Sequence, residues 1–206
     1  PLESWLAFLV AATLLGLAPG PDNLFVMTQA ALHGRTKGLL VTFGLCTGLL
    51  VHTTAVALGA AAVFQTSAIA FMALKIIGAL YLLYLAWQAF AASASYAAGS
   101  KPRALSHSQL YRRGVIMNVT NPKVSIFFLA FQPQFAVPAN GPIVQQIFQL
   151  GGAFIGVTLV VFGSIALLAG TLGTWLSRSP GAQRYLHRIA GVVFAGLALK
   201  LVTAQT

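Results

Sequence analysis

Acidic side chains are almost missing from this sequence: Glu3 and Asp22 are the only two among 206 residues. Charged residues of either sign make up 7% of the chain, where a soluble domain carries roughly 25%. So few charges cannot clothe a water-facing surface, and with 58% hydrophobic residues the chain is expected in a membrane. Cysteine occurs once, at Cys46, which excludes an intrachain disulfide and a CxxC redox pair. A small packing role within a helix is the expectation for it. The four histidines are scattered and no HExxH run or carboxylate pair occurs. An enzyme, a metal site and a cofactor are therefore not expected. No Lys or Arg precedes Arg35. A cleavable secretory leader needs a basic start, so the first apolar run is expected to be a retained span.

What the sequence does have is hydrophobic length. A bilayer core of about 30 Å needs about 20 apolar residues in helical form. Runs at roughly 4–31, 38–63, 68–90, 113–135, 143–169 and 187–204 qualify. They predict an all-α polytopic membrane protein with six transmembrane helices. The separators are HGRTKG (33–38), FQTS (64–67), a longer polar loop at 91–112, VPANGP (137–142) and SRSPGAQR (177–184). The longer loop is the natural linker. It divides the chain into a first three-helix repeat at 1–95, a cytoplasmic linker at 96–112 and a second three-helix repeat at 113–206.

Positive charge is distributed by loop. Arg35 and Lys37 lie in the first loop, Lys101, Arg103, Arg112 and Arg113 in the third, and Arg178, Arg184 and Arg188 in the fifth. The second and fourth loops have none. The positive-inside rule places the odd loops in the cytoplasm and both termini outside. The net charge of +10 is thereby read as orientation and not as a nucleic-acid surface. His33, His107 and His187 fall on the same cytoplasmic side. Lys200 and Lys75 lie where they can snorkel, with a functional role for Lys75 left open. Lys123 lies deeper, after a proline in the middle of an apolar run.

Two of the runs are interrupted. Pro19-Gly20-Pro21 breaks the first, and Asn121-Pro122 breaks the fourth, because proline lacks an N–H and clashes with the preceding turn. Each interruption falls in the first span of its group of three. Three is odd, so the two groups run in opposite directions: two inverted three-helix repeats. In transporters built that way, paired Gly/Pro interruptions mark the binding site. At 1.5 Å per residue, Asp22 lies about 16 Å and Lys123 about 14 Å from the inner ends of their spans, so the two breaks fall at similar depth. Freed backbone groups in hydrocarbon cost several kcal/mol unless they line a cavity or are buried in protein. An intramembrane carboxylate adds about 2.5–3.5 kcal/mol on insertion scales.

The motifs APGPDNLFV (18–26, preceded by Leu17), HGRTKG before a glycine-bearing span with Gly38, Gly44 and Gly48, LKIIGALYLLYLAWQAF (74–90) and NVTNPKVSIFFLAFQPQF (118–135) stand in this order over nearly the whole chain. In this the sequence resembles the LysE/RhtB family of bacterial amino-acid exporters. The resemblance implies export of amino acids or related metabolites across the bacterial cytoplasmic membrane, coupled to protons as an antiport. It also implies two three-helix repeats, with a homo-oligomer as a further possibility. A metal-ion or other small-solute exporter of related architecture is the alternative.

The expected substrate site comprises Pro19, Gly20, Pro21, Asp22 and Asn23 from the first break and Asn118, Asn121, Pro122 and Lys123 from the second. Asp22 would receive an ammonium group or a proton. Lys123 and the amides after each proline would favour a carboxylate, and the three asparagines could hydrogen-bond either end. Asp22 and His52 are the candidates for proton coupling, imidazole being the side chain that ordinarily titrates near neutral pH. One carboxylate gives a dibasic substrate no second partner, so small neutral amino acids are preferred. Gly44 and Gly48 are expected to let helices approach closely. Phe127, Phe128, Phe131 and Phe135 are expected in packing or lipid contact.

Overall fold

A computed structural model describes residues 2–66, 68–91 and 105–203. Most of the expected linker, with Lys101 and Arg103, lies outside the described residues. Among those described, all regular structure is helical: α1 (Leu2–Leu17), α2 (Pro21–His33), α3 (Arg35–Thr66), α4 (Ala68–Ala91), α5 (His107–Thr120), α6 (Pro122–Ile126), α7 (Ile143–Arg178) and α8 (Pro180–Thr203). After α6 the chain continues through a π-helical turn, Phe127–Phe131, and two 3-10 turns, Gln132–Phe135 and Pro138–Asn140.

Both interruptions are real bends. α1 and α2 meet at 60°, and α5 meets the Pro122–Phe135 segment at 51°. Each second half begins with proline at its first helical position, where a missing N–H has no intrahelical bond to lose. α5 opens with a capping box: Ser106 Oγ accepts from the Gln109 amide and Gln109 Oε1 accepts from the Ser106 amide.

Among the described residues, three helices are long and apolar enough to cross a bilayer, at Arg35–Gly59, Ile143–Thr171 and Pro180–Thr203, and the count rises to five if each bent pair is one span. α4 is apolar along its 24 residues, with Lys75 as its one charged side chain. α7 runs on to Arg178, past the expected end of its run. No breaker occurs until the Ser179-Pro180 step, where Ser179 Oγ accepts from the Ala182 amide as α8 begins.

Two apolar clusters divide the interior. One joins Phe8, Ala12 and Leu15 of α1, Leu49, Val56 and Ala57 of α3, the Phe127–Phe131 turn and Phe154 of α7 to α4 and α8. The other joins Val26 and Ala30 of α2, Val41 and Leu45 of α3, Leu110 of α5 and Val161–Ala169 of α7. The seam between them crosses α3 after Leu45 and α7 near Thr158. It is the level at which α1 hands over to α2 and α5 to α6.

The aromatic residues after Lys123 are core. Phe127 and Phe128 are fully buried and pack with each other and with Phe8, Phe131 and Phe154 at centroid separations of 4.9–6.1 Å. Lipid contact is thereby excluded for Phe127, Phe128 and Phe131. Lys75, expected to snorkel, is buried instead: the next turn of its helix, at Gly78, fits closely against Ala130 and Leu201. Lys200 is exposed, with its Nζ 4.7 Å from the Phe135 ring centre. The two glycines of span two behave as expected. A Cβ on Gly44 would meet Gly114 of α5 at 3.0 Å, and one on Gly48 would meet Asn118 Oδ1 at 2.6 Å.

Candidate functional site

The site follows from what proline removes. In an uninterrupted helix the N–H of residue i bonds the carbonyl of residue i−4. Pro19 has no N–H, so the Leu15 carbonyl loses its partner. Lys123 Nζ donates to that carbonyl at 3.2 Å and to the Ala18 carbonyl at 3.1 Å. The bend at Gly20 likewise separates Gly20 N from Gly16, and Asn23 Nδ2 donates to the Gly16 carbonyl at 2.7 Å. Pro122 does the same to Asn118. The Asn118 carbonyl accepts instead from the Asn121 amide at 3.1 Å and from His52 Nε2 at 3.1 Å. His52 therefore carries its proton on Nε2 in this arrangement, since a carbonyl can only accept.

The two breaks are tied to each other. Asn121 caps α6 through its Oδ1, which accepts from the Lys123 amide at 3.0 Å, while its Nδ2 donates to Asp22 Oδ2 at 2.9 Å. Gly20 leaves room for Lys123: a Cβ there would lie 3.2 Å from Nζ. Asp22, Asn118, Asn121 and Lys123 are each at most 7% exposed. The nine residues expected at the breaks thus form one cluster. His52 joins it through the Asn118 carbonyl, and its route to Asp22 runs through Asn121.

The cluster has spare acceptors. Asp22 Oδ1, Asn23 Oδ1 and Asn118 Oδ1 are buried without a hydrogen-bond partner. Buried polar groups are normally paired, and a set of oxygens alone suits a donor: an ammonium group, a proton or water. Lys123, with two of its three N–H donors on carbonyls, also serves as the cap of α1.

Two further buried polar residues were not picked out from the sequence. Gln29 is 2% exposed with Oε1 unpartnered. Thr158 is buried at the seam on α7. The i, i+7 spacing of Asp22 and Gln29, two turns apart on one face of α2, was the available clue. Thr158 had none, because an isolated threonine in an apolar run reads as a helix residue bonded to its own backbone. Beside α2 an open cleft of about 480 Å³ runs from Pro21 to Leu105 between α2 and α5, with Thr28, Gln29, Arg113 and Met117 in its walls.

Comparison with known proteins agrees with this picture. Residues 13–205 match the family described as LysE type translocator. The homoserine/homoserine lactone efflux protein of Salmonella typhimurium is 32% identical over 98% of this chain and 98% of its own length. An uncharacterized membrane protein of Vibrio cholerae is 33% identical over 99% and 98%. The leucine efflux protein of Klebsiella pneumoniae is 28% identical over 98% and 96%. No solved structure matches the chain. The broken apolar helices, the buried polar seam and the full-length similarity to efflux proteins lead to one assignment: this chain is a membrane protein of the LysE translocator family.

Proposed function

We propose that the protein exports small neutral amino acids, or close relatives such as homoserine, from the bacterial cytoplasm in exchange for protons. The observation that carries this reading is the meeting of the two breaks, where Asn121 holds Asp22 and three buried oxygens stay open. A zwitterion fits such a place. Its ammonium finds Asp22 Oδ1 and the two asparagine oxygens; its carboxylate finds the free amides at the start of α2 and the third N–H of Lys123. The names of the Salmonella and Klebsiella relatives favour the same substrate class.

In this reading each bent pair is one span and α4 is the sixth, giving two inverted triplets with both termini outside the cytoplasmic membrane. Helix pairing supports the inversion: α3 packs on α5 as α7 packs on α1, and α3–α7 and α4–α8 each pair an element with its counterpart. The relation is not perfect, since α6 packs on α4 whereas α2 packs on α3 and α7. Contacts through Asn118 and Asn121 hold His52 and Asp22, the two groups proposed to couple protons, in one cluster. A metal-ion exporter fits less well, because the described residues contain no group of three His, Cys, Asp or Glu side chains that could hold a metal ion.

The test is flux in proteoliposomes with an imposed pH gradient. Asp22→Asn removes the charge while keeping the shape, and should lower gradient-driven amino-acid flux about tenfold or more, the usual worth of a buried hydrogen bond to a charged group. Gradient-driven flux unchanged in that variant would remove Asp22 from coupling, and amino-acid flux indifferent to the gradient would replace antiport by facilitated exit.

A further inference from the structure

The cleft between α2 and α5 has a composition that the seam does not explain. Its walls are largely apolar, from Leu24, Phe25 and Met117, and its polar lining is Thr28, Gln29 and Arg113. Among the described residues that line it, Arg113 is the one charged residue. The guanidinium stands 4.8 Å from the centre of the Phe25 ring, a contact that steadies a long side chain while its N–H groups stay available around the edge of the plane. Four residues further along α2, about 6 Å down the helix axis, Gln29 offers a buried oxygen without a partner. Phe25 and Gln29 share a helix face, so a donor fork and a lone acceptor face one volume from neighbouring turns. That volume, about 480 Å³, is within the range of small-molecule sites. One end of the cleft is Pro21, next to Asp22. The other is Leu105, whose carbonyl accepts from Lys37 Nζ at 3.2 Å, at the basic end of the molecule.

We propose that this cleft is an entry subsite that recognises α-amino acids by both charges, Arg113 taking the carboxylate and Gln29 Oε1 the ammonium. The proposal rests on the amino-acid export reading and adds to it a specificity filter on the cytoplasmic approach to Asp22. A carboxylate accepts two parallel bonds from a guanidinium, which a neutral carboxamide cannot do with the same charge assistance. The filter therefore separates amino acids from amines of the same side chain.

The experiment compares an amino acid with its own carboxamide, both presented to the cytoplasmic face of reconstituted full-length protein. Arg113→Gln should raise KM for the amino acid about ten- to a hundredfold, leave KM for the carboxamide unchanged and leave kcat within about twofold of its original value. Gln29→Leu should raise KM for both, since both carry the ammonium. Arg113→Lys, which keeps the charge and loses the fork, should raise KM for the amino acid alone and by less. If Arg113→Gln does not reach the membrane, the Lys variant carries the same comparison. Equal changes for the two substrates, or none for either, overturn the subsite while the export reading stands. Absence of amino-acid flux in the unaltered protein overturns both.

Discussion

Lys123 shows how one side chain can hold a broken helix together. Its Nζ occupies the carbonyls of Leu15 and Ala18, one of which lost its ordinary donor to Pro19. Lys123→Met keeps most of the bulk and removes the donor. It should strand two buried carbonyls, each at about 1–3 kcal/mol. In detergent, the melting temperature of this variant should fall by at least several degrees, with a much smaller fall for Arg113→Gln, whose side chain is exposed. An undiminished melting temperature for Lys123→Met would mean that water serves those carbonyls equally well, and Lys123 would then be free for substrate. His52 is the counterpart at the second break, where it fills the acceptor that Pro122 left open. With Nε2–H held by that carbonyl, Nδ1 is the ring nitrogen that would take up a proton.

At the scale of elements, α3 is the spine. It packs on α2, α5 and α7, and the α3–α5 crossing is closest at Gly44, where the backbones of Tyr111, Gly114 and Val115 leave no space for a Cβ. Gly44→Ala must push the two backbones apart, at about 1–3 kcal/mol for overpacking. Gly156 of α7 is exposed and has nothing within 4 Å of the position its Cβ would take. Gly156→Ala should therefore gain up to about 1 kcal/mol from helix propensity. Thermal melts of the two variants should move in opposite directions, and a shared direction would contradict the packing described for α3. The sequence announced Gly44, because small residues spaced by four mark close approach, and it announced both breaks, because proline has local and unambiguous consequences. It did not announce the π-helical turn at Phe127–Phe131 or the continuation of α7 to Arg178. Those depend on how the aromatic cluster packs and on the absence of a stop before Ser179. At the site, proline and the polar residues beside it were legible, whereas the partners they choose were not: which carbonyl Lys123 caps, and that Gln29 faces the cleft, are tertiary outcomes.

For the whole molecule, the proposed inversion depends on α4 crossing the membrane. Its 24 residues would extend about 36 Å, enough for a hydrocarbon core of about 30 Å, and its one charged side chain, Lys75, is buried. Burial of that lysine against the protein removes the reason to count it as a lipid-facing charge and favours a crossing. Topology supplies the decision. Between Thr36 and Asn140 the chain passes through α3, α4 and the bent pair of α5 with Pro122–Phe135. Three crossings put those two exposed residues on opposite sides; two put them on the same side. In a background where the buried Cys46 is replaced by Ala, Thr36→Cys and Asn140→Cys can be labelled singly with a membrane-impermeant maleimide. In intact cells Asn140→Cys should react and Thr36→Cys should not, with the pattern reversed in inside-out vesicles. The sense agrees with the charges, since Arg35 and Lys37 flank Thr36 and no Lys or Arg occurs at 137–142. Labelling of both from one side would make α4 a re-entrant or interfacial helix. The first and second halves would then no longer run in opposite directions, and the two breaks could not be counterparts.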